Sequence, residues 1–197
     1  MLKFFLQMKP AAVKFLTDLA RVPAMTHQQV AWYFGSESKA TKWLRRLERG
    51  GYISKKIEFV RDRKTEAPIS VLHPGSPLPN ASTIAYRAAT LWSTAISPRI
   101  IIRATLKLAL LYGGQPPTII AGHVSHQVAL SEILLRKFRS DPDFNWKLVS
   151  SGPGFGAQPD AISADGNVQI ELLGRYNGST IAAKLSLAAQ TPTLELW

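Results

Sequence analysis

The sequence predicts an α+β chain in two parts, and three observations carry that prediction. Apolar residues recur at helical spacing, behind cap residues, through residues 10–49. Two strand-like runs follow, over 52–60 and 67–73. The stretch Pro74-Gly-Ser-Pro-Leu-Pro-Asn80 then separates this first part from a second one that turns from helical to strand-like. The expected division is 1–75 and 76–197. The 197 residues suffice for two small domains, each with a core, and 46% hydrophobic against 19% charged residues excludes a disordered tail.

The elements follow in order. Residues 10–22 place Val13, Leu16, Leu19 and Ala20 on one helical face, with Pro10 in the first turn, where its missing N–H costs nothing. Thr26 is the cap of a short helix to about Phe34, and Gly35 ends it. Ser36 caps a third helix to Arg49, whose inner face holds Ala40, Trp43, Leu44 and Leu47. Gly50-Gly51 closes it, because glycine enters the left-handed region at least cost. The two strand runs flank Arg61-Asp62-Arg63-Lys64-Thr65-Glu66, a charged hairpin tip. Beyond the linker, residues 81–113 are expected to be helical with a kink at Pro98. A turn at 113–117, a helix over 122–140, and strands at 146–150, 168–172 and 193–197 complete the chain, with a helix near 178–189 between the last two.

Charge is unevenly spread. Residues 1–75 hold 14 Lys/Arg and 6 Asp/Glu, a net of +8, whereas residues 76–197 hold 10 and 7, a net of +3. Such asymmetry fits a polyanion-binding module joined to a nearly neutral partner domain. The absence of cysteine excludes disulfides, Cys-ligated zinc and thiol nucleophiles, and agrees with a cytoplasmic location. The first nine residues lack the apolar length and cleavage site of a signal peptide, and Pro98, Arg99, Arg103 and Lys107 interrupt the most apolar stretch, so no membrane association is expected.

A short helix, a tight glycine turn, a second helix and a basic two-stranded wing make the layout of a winged helix-turn-helix, which sets its second helix in the major groove of double-stranded DNA. On the helix 36–49, Lys39, Lys42, Arg46 and Arg49 share one face, with Arg45 to its side. Lys39, Lys42 and Arg46 are the foremost DNA-contacting candidates, Ser36 and Ser38 suit phosphates at the helix start, and Arg61, Arg63 and Lys64 would act from the wing. A solvated charged face is the plain alternative for such a stripe. A second stripe, Arg99, Arg103 and Lys107, is expected on one face of a helix, either solvated or extending the DNA surface, and the apolar run 84–112 would form a core or a homodimer seam.

In the second part, Pro159-Asp160-Ala161 and Gln169-Ile170-Glu171 put two acids at the two ends of a strand hairpin. Nucleases of the PD-(D/E)xK type use this pattern to hold a divalent ion, with a lysine two residues after the second acid. Here that position is Leu173, and Lys184 on the following helix is the substitute. His123 and His126 lie i, i+3, with Glu132 as the nearest acid, and are expected to cap or pack rather than bind metal. His27, just after a helix cap, is read as a surface or DNA-proximal residue. Gly152-Pro-Gly-Phe-Gly156 lacks the Lys-Ser/Thr of a phosphate loop and reads as a turn. No cofactor is expected.

The run His123-Val-Ser-His-Gln-Val-Ala129, Trp146, Pro159-Asp160-Ala161, Glu171 and Lys184-Leu185 together resemble the replication-relaxation family of plasmids and other mobile elements. The resemblance implies an N-terminal winged helix and a C-terminal domain similar to a degenerate restriction-endonuclease fold. Leu173 departs from the second acid that the family pattern often carries there. Antitoxin-type regulators with a winged helix and an appended α/β domain are a competing resemblance. The expected function is therefore DNA binding in transcription or replication control. The alternative is a metal-dependent nuclease using Asp160, Glu171 and Lys184.

Overall fold

Pro10 opens helix α1 (Pro10–Leu19), with Lys9 as the residue before the first turn. The computed structural model describes residues 9–112, 123–141, 143–149, 158–188 and 193–197; the turn expected at 113–117 and the glycine loop at 152–156 lie outside them. The buried face of α1 is Ala12, Phe15, Leu16, Asp18 and Leu19. Val13, assigned inward by its spacing, is 38% exposed, because the bulkier Phe15 takes the core side and meets Tyr33 and Phe34 edge-on.

Strand β1 (Met25–Thr26) leads into α2 (His27–Phe34) through a reciprocal cap. The Gln29 N–H donates to Thr26 Oγ1 at 3.2 Å, and Thr26 N–H donates to Gln29 Oε1 at 2.8 Å. Gly35 follows at φ +72°, in the left-handed region, so the chain reverses without a Cβ penalty. Helix α3 (Glu37–Arg49) then starts at Ser36, whose Oγ accepts from Lys39 N–H, and buries Ala40, Leu44 and Leu47.

The next stretch departs from expectation. Strand β2 spans Ile53–Arg63, so residues 61–63 are strand rather than hairpin tip. Its partner is not the run 67–73, of which only β3 (Ser70–Leu72) is strand. Instead the expected kinked helix over 81–113 is three elements: α4 (Ala81–Leu91), strand β4 (Trp92–Ala104) and α5 (Leu106–Leu111). Pro98 can donate no helical hydrogen bond, and Thr94, Ile96 and Ile100, Ile101 and Ile102 are β-branched, so this segment gains more from strand pairing. The three-stranded sheet runs β1-β4-β2, with Met25 opposite Ile102 and Thr26 opposite Ile101 in the antiparallel pair.

The remaining elements are α6 (Val124–Ser140), β5 (Trp146–Leu148), β6 (Ala161–Ser163), β7 (Val168–Glu171), α7 (Gly178–Ala188) and β8 (Thr193–Leu196). Their four strands join β3 in the five-stranded sheet β3-β8-β7-β6-β5. Strands β5, β6 and β7 are antiparallel neighbours, whereas β7 and β8 are parallel, as the intervening helix α7 requires. The architecture is mixed α+β.

The chain forms two compact units, Met1–Val60 with Ser97–Leu135 and Arg61–Ile96 with Arg136–Trp197. In the first, Phe15, Leu16, Leu19, Leu44 and Leu47 are fully buried along with Ile101, Ile102 and Leu108. Helix α6 is bonded into it by polar contacts: Ala24 N–H donates to the buried Ser131 Oγ at 3.1 Å, and Gln29 Nε2 donates to Glu132 at 3.0 Å. In the second unit, Ile84 and Ala88 of α4 pack with Ile181 and Leu185 of α7, over Leu72, Leu194 and Leu196 from the sheet and Ile69 just before β3. The Pro-rich stretch 74–80 lies inside this unit, because β3 before it pairs with β8 and α4 after it packs on α7. Among the described residues, no helix is long and apolar enough to cross a membrane.

Candidate nucleic-acid interface

Helix α3 separates its residues by chemistry. With Ala40, Leu44 and Leu47 buried, the 3.6-residue period leaves Ser38, Lys39, Lys42, Arg45, Arg46 and Arg49 exposed. Trp43, half-buried at the margin, stacks on Phe34 at 5.7 Å, and the Arg46 guanidinium lies 5.8 Å from the Trp43 ring centroid. Arg49 Nε donates to Arg45 O at 3.3 Å, holding its side chain along the helix. The acids of this helix add little negative charge to that surface. Glu37 sits in the first turn, where the helix dipole favours it, and Glu48 accepts from Lys55 at 2.8 Å. Ser36 Oγ is occupied as the cap acceptor, which leaves its O–H to donate outward.

The mount of α3 is rigid. His27 Nε2 and Thr41 Oγ1 lie 3.0 Å apart, bridging α2 and α3. His27, expected at the surface with no special chemistry, is thus a brace between the two helices. At the far end, Thr105 Oγ1 donates to Gly51 O at 2.8 Å and Lys107 Nζ donates to Gly50 O at 2.6 Å. Lys107 also lies 4.2 Å above the Tyr52 ring, so it fastens the C-terminus of α3.

The stripe expected from Arg99, Arg103 and Lys107 does not form a helical face, because the first two lie on β4 and only Lys107 is on α5. Arg103 is buried and paired: it meets Glu58 with both terminal nitrogens and also donates to Gln127 Oε1 at 3.3 Å. It is structural in its surroundings. Arg61, Arg63 and Lys64 belong to the second unit. Arg61 Nη1 donates to Ser93 O at 3.1 Å, Arg63 lies 5.5 Å from the Trp92 ring centroid, and Lys64 is exposed. Burial lowers the Arg63 pKa to about 10, which still leaves it charged at neutral pH.

The second unit also brings the expected acids together with the expected lysine. Asp160 sits just before β6, and its carboxylate accepts from Leu172 N–H at 2.7 Å. Glu171 ends β7, is 5% exposed, and forms an ion pair with Lys184 Nζ from α7. The turn between β6 and β7 is closed by Asp165, which accepts from Asn167 N–H and from the Ser163 hydroxyl. Leu173, at the position where the nuclease pattern has lysine, is fully buried, which forbids a cation there. Burial disfavours the Lys184 ammonium, but the charge and hydrogen bond of Glu171 outweigh it and raise its pKa. Tyr176, with its ring 5.5 Å from Lys184 Nζ, has its phenol pKa raised by burial; the Lys184 charge opposes this rise, and Glu171 and Asp160 add to it.

Among the described residues, no three His, Cys, Asp or Glu side chains gather as metal ligands. Glu132 is engaged by Gln29, and His123 is exposed. Neither Tyr176 nor Arg175 was legible as a site residue, since each lies in a loop whose local sequence gives no periodicity. Compared with known proteins, the chain matches no family model, no curated protein and no solved structure.

Proposed function

We propose that this chain binds double-stranded DNA through helix α3, with Lys39, Lys42 and Arg46 as the principal contacts and Ser36, Ser38, Arg45 and Arg49 beside them. One observation carries the reading: a single helix buries its apolar side and exposes five cations, while one of its two acids lies in the first turn and the other is paired with Lys55. The order of elements supports it. A glycine at φ +72° joins α2 to α3, and a sheet with β2 and β4 as neighbours follows, as in winged helix-turn-helix proteins. Bonds at Thr41 and at Gly50 also hold the backbone of the helix that carries the cations, which reduces the ordering cost on DNA. The biological role we assign is cytoplasmic control of transcription or replication, in keeping with the resemblance to mobile-element proteins, with homodimers able to read paired half-sites.

The test is fluorescence anisotropy on mixed-sequence duplex DNA across a salt series. Wild type should lose affinity linearly in log salt, and Lys42→Ala/Arg46→Ala should flatten the slope by about 2, one unit per phosphate contact. Equal slopes would sink the assignment of α3, and absence of binding would sink the function.

A second reading, metal-dependent cleavage of DNA, is favoured by the meeting of Asp160, Glu171 and Lys184 at one end of the β6–β7 hairpin. In that reading Asp160 and Glu171 would hold a magnesium or manganese ion, and Lys184 would orient the attacking water. The bond from Lys184 to Glu171 already satisfies the buried acid without a metal, which is why this reading ranks second. Nicking of plasmid DNA in magnesium or manganese that vanishes in Asp160→Ala would promote it. No cleavage with either ion would remove it.

A further inference from the structure

Three arginines converge in the second unit on the first residues of β4. Arg61 Nη1 donates to Ser93 O at 3.1 Å and lies 3.4 Å from Thr94 O. Arg175 Nη2 approaches Trp92 O and Ser93 O at 3.4 Å each. Because both arginines share Ser93 O, the two nitrogens lie no more than about 6.5 Å apart, the sum of 3.1 and 3.4 Å. One phosphate group, accepting charge-assisted bonds of about 2.8 Å on two oxygens, can take both. Strand alternation puts Arg63 on the same face of β2 as Arg61 and turns Asp62 to the other.

Within the cluster, Arg63 is under-compensated. Arg63 donates from Nη1 to Lys64 O at 3.1 Å, but its Nε and Nη2 are buried and have no partner among the described residues. A desolvated cation with two unsatisfied donors, facing a ring and a carbonyl but no counter-charge in hydrogen-bond contact, is costly, and an arriving anion offsets that cost. Arg175 is exposed and spends a single nitrogen on two long contacts, which leaves most of its five donors for such an anion.

We propose that Arg61 and Arg175, with Arg63 behind them, form a second contact to the phosphate backbone of double-stranded DNA, separate from helix α3. The proposal rests on the DNA-binding reading, adds a contact made by the second unit alone, and assigns Arg175 a role that its sequence context does not suggest.

Salt-series anisotropy on the same mixed-sequence duplex tests it with two variants of the full chain. Arg175→Gln keeps an N–H donor for the carbonyls but removes the charge, so its slope should fall by about 1. Arg175→Lys keeps the charge, so its slope should match wild type. Thermal melting of both variants should follow wild type, since the lost contacts are long, at 3.4 Å each. A wild-type slope in Arg175→Gln, alongside a flattened slope in Lys42→Ala/Arg46→Ala, overturns this contact and leaves the α3 reading standing. Slopes unchanged in every variant, or no DNA binding by wild type, overturn both. Inorganic phosphate supplies a third arm. Stabilisation by phosphate that is lost in Arg175→Gln, with no change in the DNA slope, would assign the cluster to the free ion and overturn the DNA contact.

Discussion

Replacing Lys184 by Met removes one partner of an ion pair that is largely out of water, with side-chain exposures of 16% for Lys184 and 7% for Glu171. The carboxylate of Glu171 would then stay buried without its counter-charge. Breaking a buried pair from one side costs about 3 kcal/mol or more, whereas replacing both partners by groups of similar shape is close to neutral. Lys184→Met should therefore lose about 3 kcal/mol in urea denaturation, and Lys184→Met/Glu171→Leu should recover most of it. The fluorescence of Trp92, Trp146 and Trp197, all buried in the same unit, reports the transition. High pH gives an independent check. The folded-state pKa of Lys184 is raised, so the pair contributes its full stability below the ordinary lysine value of 10.5 and loses it as the pH climbs through the folded value. Tyr176 adds a fall in the same direction above its ordinary value of 10.0, because its neutral form is favoured in the folded state. Wild type should thus destabilise steeply in alkali, and Lys184→Met should retain only the tyrosine part. A single-variant loss under about 1 kcal/mol, or a double variant whose losses simply add, would show that the pair does not carry this stability.

Three further outcomes follow from the first unit. Glu58→Ala should cost about 3 kcal/mol in urea denaturation, because Arg103, 3% exposed and with its Nε already unpartnered, would lose both bonds to its carboxylate; Arg103→Met in the Glu58→Ala background should restore part of the loss. Gly51→Ala should cost about 1 kcal/mol by thermal melting, since φ is +70° with open space around the new Cβ. Gly50→Ala acts differently: φ is ordinary, but the Cβ would lie 2.8 Å from the Tyr52 ring, so the ring must shift, and thermal melting should show a loss of stability.

Features that depend on residues a few positions apart could be read directly from the chain. The Thr26–Gln29 cap, the Ser36 cap, the reversal at Gly35 and the glycine close after Arg49 are contacts of three or four residues, and composition announces them. The two faces of α3 were legible for the same reason, since helical period alone sorts Ala40, Leu44 and Leu47 from Lys39, Lys42 and Arg46. Even Asp160, Glu171 and Lys184 were legible as a set of residue types.

Tertiary structure decided the rest, wherever a strand had to find a distant partner. The stretch 92–104 carries apolar residues that suit either period, and pairing with β1 and β2 settled it as strand. Ser70 opposite Leu196 took β3 away from β2, a choice that no local propensity records. Arg103, one member of a helical stripe in the sequence, became a buried partner of Glu58 once β4 lay beside β2. Arg175 came to share a carbonyl with Arg61 by the same route. These outcomes turn on burial and on which backbone groups remain to be paired, and both are properties of the assembled fold.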